Sequence, residues 1–228
     1  MKKMISLLVV ALMATTAFAQ SATELAKQQR EVNELHRKIL NGKITKDAKK
    51  QAKEYKKDGW TVPVGELSLE RQINKSMLYA EELMTNEEGG ITQRFMQHTG
   101  RQTAGSYNTA YAAARSAAMT ELASLMETKL ASAWKNLMDN AEKSAISATT
   151  NDRFNQRSMA IIQQSITNAI PTVVCYRVLP NNNYQVMVRL AFDKQEISAR
   201  LKRNLQKELE MEGDQLEGMV NDMICNEM

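Results

Sequence analysis

Thr172-Val173-Val174-Cys175-Tyr176-Arg177-Val178-Leu179-Pro180-Asn181-Asn182-Asn183-Tyr184-Gln185-Val186-Met187-Val188-Arg189-Leu190-Ala191-Phe192 is the stretch that decides the fold. Tyr184, Val186, Val188, Leu190 and Phe192 alternate with Gln185, Met187, Arg189 and Ala191. That period of two places each set on its own face of a strand. β-branched residues crowd the first half, just after Pro171. Between the halves, Pro180-Asn181-Asn182-Asn183 supplies a turn, because asparagine tolerates the positive φ that tight turns require. The stretch predicts a hairpin over 172–192 with one face buried.

Helical spacing takes over on both sides. Downstream, Asp193 and Glu196 have capping-box spacing. Ile197, Leu201, Leu205, Leu209, Leu216, Val220 and Ile224 follow, with Gly213 and Gly218 weakening the second half. Upstream, Phe154, Ile161, Ile162, Ile166 and Ala169 predict a helix over 151–169. The longest pattern covers 107–144. It opens with Ala110, Ala112, Ala113, Ala114, Ala117 and Ala118 and continues with Leu122, Leu125, Met126, Leu130, Trp134, Leu137 and Met138. Small side chains let a helix backbone lie close to a neighbouring sheet. Residues 91–99 read as a first strand, 100–106 as a loop, and 86–90 as a turn. Ser68 caps a helix through Met84, and 60–65 breaks the pattern. Thr45 and Gly59 bound a helix over 45–58 whose apolar positions are only Ala48, Ala52 and Tyr55, so it is expected to be mostly solvated. Leu25, Val32, Leu35 and Ile39 predict one more helix, closed by Asn41-Gly42. This order favours an α+β fold, with a small antiparallel sheet of about three strands packed on one face by long helices. Residues 20–58 are expected to form a basic helical appendage, and 59–228 the α+β domain.

The first nineteen residues read as an export leader. Lys2 and Lys3 precede an apolar run, and Ala17-Phe18-Ala19 has the A-x-A pattern of a cleavage site, with the cut expected between Ala19 and Gln20. The run is too short for a stable membrane span, so a periplasmic or secreted address is expected. Without the two leader lysines, 28 of the 30 basic residues stand against 26 acids, and the pI near 9.0 overstates the basicity of the processed chain. In an oxidising compartment Cys175 and Cys225 can form a disulfide or remain two buried thiols; their spacing decides neither. It does not suit a metal site or a redox pair.

Reactive constellations are sparse. His36 and His98 are the two histidines. His98 is expected at the surface near a strand end; a hydrolase reading would have to unite it with Arg94 and the Glu87-Glu88 turn. No motif for phosphate cradling, zinc proteolysis or a serine nucleophile occurs. No catalytic residue, metal ligand or cofactor is therefore expected. Charge is uneven. Between Arg37 and Lys57 nine bases, Lys46, Lys49, Lys50 and Lys53 among them, face only Asp47 and Glu54, whereas seven acids lie between Glu208 and Glu227. A lysine-rich helix can be simply solvated, can meet the chain's own acidic end, or can touch an anionic surface. A groove beside Trp60 and Tyr176 is a further binding candidate. Nucleic acid is not expected at this address.

The Gly59-Trp60 step, Leu69-Glu70-Arg71-Gln72-Ile73, Ala110-Tyr111-Ala112-Ala113-Ala114-Arg115, Val174-Cys175-Tyr176-Arg177 and Tyr184-Gln185-Val186-Met187-Val188 resemble a family of secreted bacterial envelope proteins of uncharacterised role. The resemblance covers residues 59–209. More distantly, an Ala-rich helix, a second helix and a hairpin are similar to outer-membrane lipoproteins of the Lpp-twenty type and to the N-terminal domain of the flagellar protein FlgT. These similarities imply an α+β domain and a non-enzymatic structural or interaction role, with other envelope proteins as expected partners and peptidoglycan, an anionic lipid surface or a small ligand as the alternative. The lipoprotein cysteine is missing, so an anchor is not carried over.

Overall fold

The computed structural model describes residues 42–85, 90–140 and 148–209, with positions 27, 30, 34 and 220. In chain order come α1 (Lys46–Lys57), α2 (Leu69–Glu81), β1 (Leu83–Thr85), β2 (Ile91–Gln93), β3 (Phe95–Ala104), α3 (Tyr107–Asn140), α4 (Ala148–Ser165), β4 (Ile170–Val178), β5 (Tyr184–Asp193) and α5 (Lys194–Leu209). The fold is α+β. β1 and β2 form a two-stranded antiparallel sheet, and the main sheet has the antiparallel order β3-β5-β4. The hairpin expected over 172–192 is β4 and β5, and Asn182 at its turn has φ 61.

The alternation of β5 is used on both faces. Val186, Val188, Leu190 and Phe192 join Met96, the inner faces of α3, α4 and α5, and Val220 in the larger core. On the other face Met187, Val173 and Cys175 meet Ala48 and Ala52 of α1, Trp60, and Leu69 and Ile73 of α2. Helices on a single face were expected, and the sheet is in fact covered on both. The physical reason lies in β4, where Val173, Val174 and Cys175 are consecutive apolar residues that can be buried only if both faces are dry.

This second core also corrects the expectation of a largely solvated helix at 45–58. Ala48 and Ala52 are fully buried. Two methyl side chains lack area, but they bring the α1 backbone within reach of α2. There Thr45 N donates to Asn74 Oδ1 at 3.0 Å, and Lys56 pairs with Glu70 across the two helices. Thr45 itself caps α1 by accepting from Ala48 N, and Gly59 leaves the helix at φ 82. Thus α1 is part of the packed body, while most of 20–41 lies outside the described residues.

The region before α3 departs from expectation as well. The helix from Ser68 ends at Glu81, and Met84 belongs to β1. Residues 91–99 divide at Arg94 into β2 and β3, and β3 runs on through the expected loop to Ala104. Gly100 makes that extension possible. A methyl at its Cα would overlap the carbonyl oxygen of Ala114 and stand 2.7 Å from Ala118 N. The stripe Ala110, Ala114, Ala118 is completely buried, so α3 rests backbone to backbone on β3 at this crossing. Further along, Trp134 stacks on Phe154 at 4.2 Å and donates to Asn151 Oδ1 at 2.9 Å, which fastens α3 to α4. Asn204 donates to Ser165 Oγ at 3.1 Å and joins α5 to α4.

Because the atoms crowding Gly100 are main chain, a Gly100→Ala variant must lift α3. It is expected to lose about 3 kcal/mol of stability, the upper end for overpacking. Urea unfolding should show a lower midpoint with an unchanged slope.

Candidate functional site

The outward face of α1 carries the densest charge among the described residues. At 3.6 residues per turn, Lys46, Lys49, Lys50, Lys53 and Lys57 fall within about 60° of one line along the helix, opposite the inward Ala48, Ala52 and Tyr55. All five lysines are exposed. Their ridge is about 16 Å long. Asp47 and Glu54 sit at its flank, and Lys56 is turned aside to Glu70, whose carboxyl its hydrogen bond holds below the usual range. The four lysines named from sequence thus share one surface, fixed in place by the buried alanines behind them.

Trp60 and Tyr176 do not form a groove. Thr61 pairs with Tyr176 through two 2.8 Å backbone bonds, so the chains are adjacent, but the side chains leave on opposite faces of the sheet. Trp60 is 5% exposed and has the guanidinium groups of both Arg101 and Arg177 over its ring, 5.2 and 5.0 Å from the centroid. Arg177 is held in turn by Gln185 Oε1 and Asp58 O. Cation–π attraction and burial make Trp60 a structural member of the second core. Tyr176 instead joins Tyr107 at 5.3 Å and Tyr184 at 6.1 Å, with Tyr111 against Tyr107. These four half-buried tyrosines gather near the hairpin end of the sheet, and burial pushes the Tyr107 hydroxyl above its ordinary pKa. Two signals pointed to them: the four-residue step from Tyr107 to Tyr111, and the placing of Tyr176 and Tyr184 on either side of the turn.

Between α2 and the sheet lies a polar layer that spacing alone did not reveal. Ser76 Oγ donates to Gln97 Oε1 at 2.6 Å, and Gln97 Nε2 donates to Ser76 O at 2.7 Å. Arg189 reaches Ser76 Oγ and Thr99 Oγ1, both at 3.1 Å. The Gln72 side chain accepts from Val174 N at 2.6 Å and donates to Leu67 O at 2.9 Å. These bonds satisfy the polar groups that α2 buries.

Arg94 is committed to an ion triad. Its Nη1 meets Glu82 Oε1 at 3.0 Å and its Nη2 meets Asp193 Oδ2 at 2.6 Å. Asp193 Oδ1 accepts from Gln195 N and Glu196 N and caps α5, while the Glu196 carboxylate turns to Asn168 and Arg200. His98 is half-buried in the middle of β3, edge-on to Phe192 at 6.3 Å, which corrects the expected surface position. The structure does not bring it to Arg94; Glu87 and Glu88 lie outside the described residues. Cys175 is fully buried in the second core, and burial pushes its thiol up to about 12. Its candidate bridge partner, Cys225, lies outside the described residues. Among the described residues no helix is long and apolar enough to cross a membrane, and no three His, Cys, Asp or Glu side chains cluster as a metal site would need. No protein-family model matches the chain, and no curated protein matches it.

Two outcomes follow from the buried titratable groups. Desolvation lowers the His98 pKa below 6.5, with the Glu121 carboxylate partly offsetting it. The unfolded chain therefore takes the proton first. The stability that His98 contributes is complete above pH 6.5 and is lost as pH falls through the lower folded value. Urea midpoints should drop on acidification, and His98→Gln should flatten that part of the profile. For Cys175, native Cys225→Ala protein should resist iodoacetamide at neutral pH and become labelled on unfolding, as read by intact mass.

Proposed function

We propose that this chain is a non-enzymatic, exported cell-envelope protein that works as an interaction module, with the lysine ridge of α1 as its contact face for an anionic envelope surface. One observation carries the proposal: five exposed lysines on a single helix face, rigidly backed by Ala48 and Ala52 in a core of the main body. A solvated helix has no need of that backing. A docked one holds its charges at fixed spacing and loses little freedom on contact, which strengthens binding to a dense array of negative groups. The A-x-A leader supports the exported address, and the resemblance of short sequence stretches to secreted envelope proteins is in keeping with a binding role without catalysis. The commitment of Arg94 to Glu82 and Asp193 and the packing of His98 on Phe192 favour this reading over a hydrolase.

The processed protein should co-sediment with anionic phospholipid vesicles or peptidoglycan and leave neutral vesicles unbound. A Lys49→Glu, Lys50→Glu, Lys53→Glu triple variant should fold normally, because all three side chains are exposed, and should bind at least about tenfold more weakly. Each surface contact contributes on the order of 1 kcal/mol, and raised salt should weaken the original protein in the same direction. Equal binding by the variant would discard the lysine ridge as the contact face. Crosslinking in intact cells followed by pull-down tests for envelope protein partners on the same face.

A further inference from the structure

The two edges of the main sheet are finished differently. On β4, Tyr176 exchanges both backbone bonds with Thr61, Val174 N is taken by the Gln72 side chain, and the carbonyl of Pro171 accepts from Lys75 at 3.4 Å. These bonds occupy four outward polar groups along this edge, and Pro171 has no N–H to offer.

The same observation fixes the pairing across the sheet. Val174 and Tyr176 point their backbone groups outward, so Cys175 and Arg177 bond inward to Met187 and Gln185. In an antiparallel ladder the direction alternates residue by residue. Val188 and Val186 then bond to Gly100 and Gln102 of β3. The backbone N–H and C=O groups of Gln97, Thr99, Arg101 and Thr103 are left pointing away from the sheet. Among the described residues no backbone group pairs with these four, and Thr99, Arg101, Gln102 and Thr103 are exposed. A long strand with an open row of donors and acceptors is a template for another strand.

We propose that the outer edge of β3 is a self-association surface, on which β3 of a second copy docks antiparallel and joins two three-stranded sheets into one. The charge pattern of β3 is compatible with a copy of itself, which argues for a second copy as the occupant. Arg101 is the only residue of Phe95–Ala104 charged at neutral pH. A two-fold axis through Thr99 sets Thr99 of one copy opposite Thr99 of the other, Gln97 opposite Arg101 and His98 opposite Gly100. Every outward N–H then meets a C=O, and the guanidinium groups face amides instead of each other. An axis through Arg101 would oppose two cations. The small side chains of Thr99, Gly100 and Thr103 leave the approach of the second backbone clear.

The full processed chain, examined by sedimentation equilibrium from low to high micromolar concentration, should pass from monomer to dimer. In hydrogen exchange, the amides of Thr99 and Arg101 should exchange quickly in dilute protein and slow down at high concentration. Thr99→Pro removes an N–H that no bond among the described residues uses, and so two bonds of the dimer, one from each copy; dimerisation should weaken roughly thirtyfold at unchanged circular dichroism. Thr99→Lys keeps the N–H but opposes two ammonium groups, and should weaken it about fivefold, less at high salt. A monomer at every concentration overturns the proposal, including the case in which this edge serves only a strand from a different protein. So does a dimer that both variants leave intact, or one whose Thr99 and Arg101 amides stay unprotected.

Discussion

Where α3 crosses β3, two backbones are in contact, and the rest of the molecule is arranged around that crossing. Gly100 has no side chain, and Ala114 and Ala118 have one carbon each. Any larger group at Gly100 would hold the helix off the sheet. With the crossing closed, the 34-residue α3 is pinned near its N-terminal end. Its later, larger residues, Leu122, Met126, Leu130 and Trp134, then join residues of α4 and α5 in the larger core. The change from alanine to bulky residues along α3 follows the change in what it packs on, from the β3 backbone at Gly100 to side chains such as Phe154 of α4. Overpacking at the alanine end of α3 would propagate along the whole helix, because a close-packed interior cannot absorb the displacement locally.

A second constraint operates on the opposite face. There α1 and α2 cover the sheet with few large apolar groups, and hydrogen bonds set their position. Gln72, Ser76 and Gln97 each bond to main chain or to one another across elements distant in sequence. Such bonds add modestly to stability, but leaving these groups unpaired would be costly, so they allow one orientation of α2 and few others. Because α1 is tied to α2 through Asn74 and Glu70, its lysines inherit that orientation. The electrostatic surface is thereby governed by an uncharged layer beneath it.

Much of this was legible in the sequence, and the rest was hidden for identifiable reasons. The hairpin could be read because alternation in β5 and the asparagine turn agree at every position. The caps at Thr45 and Ser68 could be read because they rest on local chemistry. The second core could not, since Ala48 and Ala52 alone are too small to mark a helix as buried, and Cys175 and Met187 announce themselves only once their strands have been paired. The continuation of β3 past Gly100 was obscured because glycine reads as a loop former, whereas here its lack of a side chain admits a neighbouring helix. The lysine face was visible as composition; its rigidity required knowing what lay behind it. Trp60 looked like a platform for a ligand because an isolated tryptophan in a Gly- and Pro-containing stretch has no periodic partners. Its partners are Arg101 and Arg177, both far away in the chain.

The chain has two tryptophans, and the sheet separates them. Trp60 belongs to the layer of α1 and α2, in contact with two cations; Trp134 belongs to the layer of α3 and α4, stacked flat on Phe154 and hydrogen-bonded through its indole nitrogen. Each layer therefore contains its own intrinsic fluorophore in a distinct polarity. Because their surroundings differ, the two indoles are expected to differ in emission, so that fluorescence during unfolding can report whether the layers loosen together or one before the other. The sheet places the two indoles in separate cores.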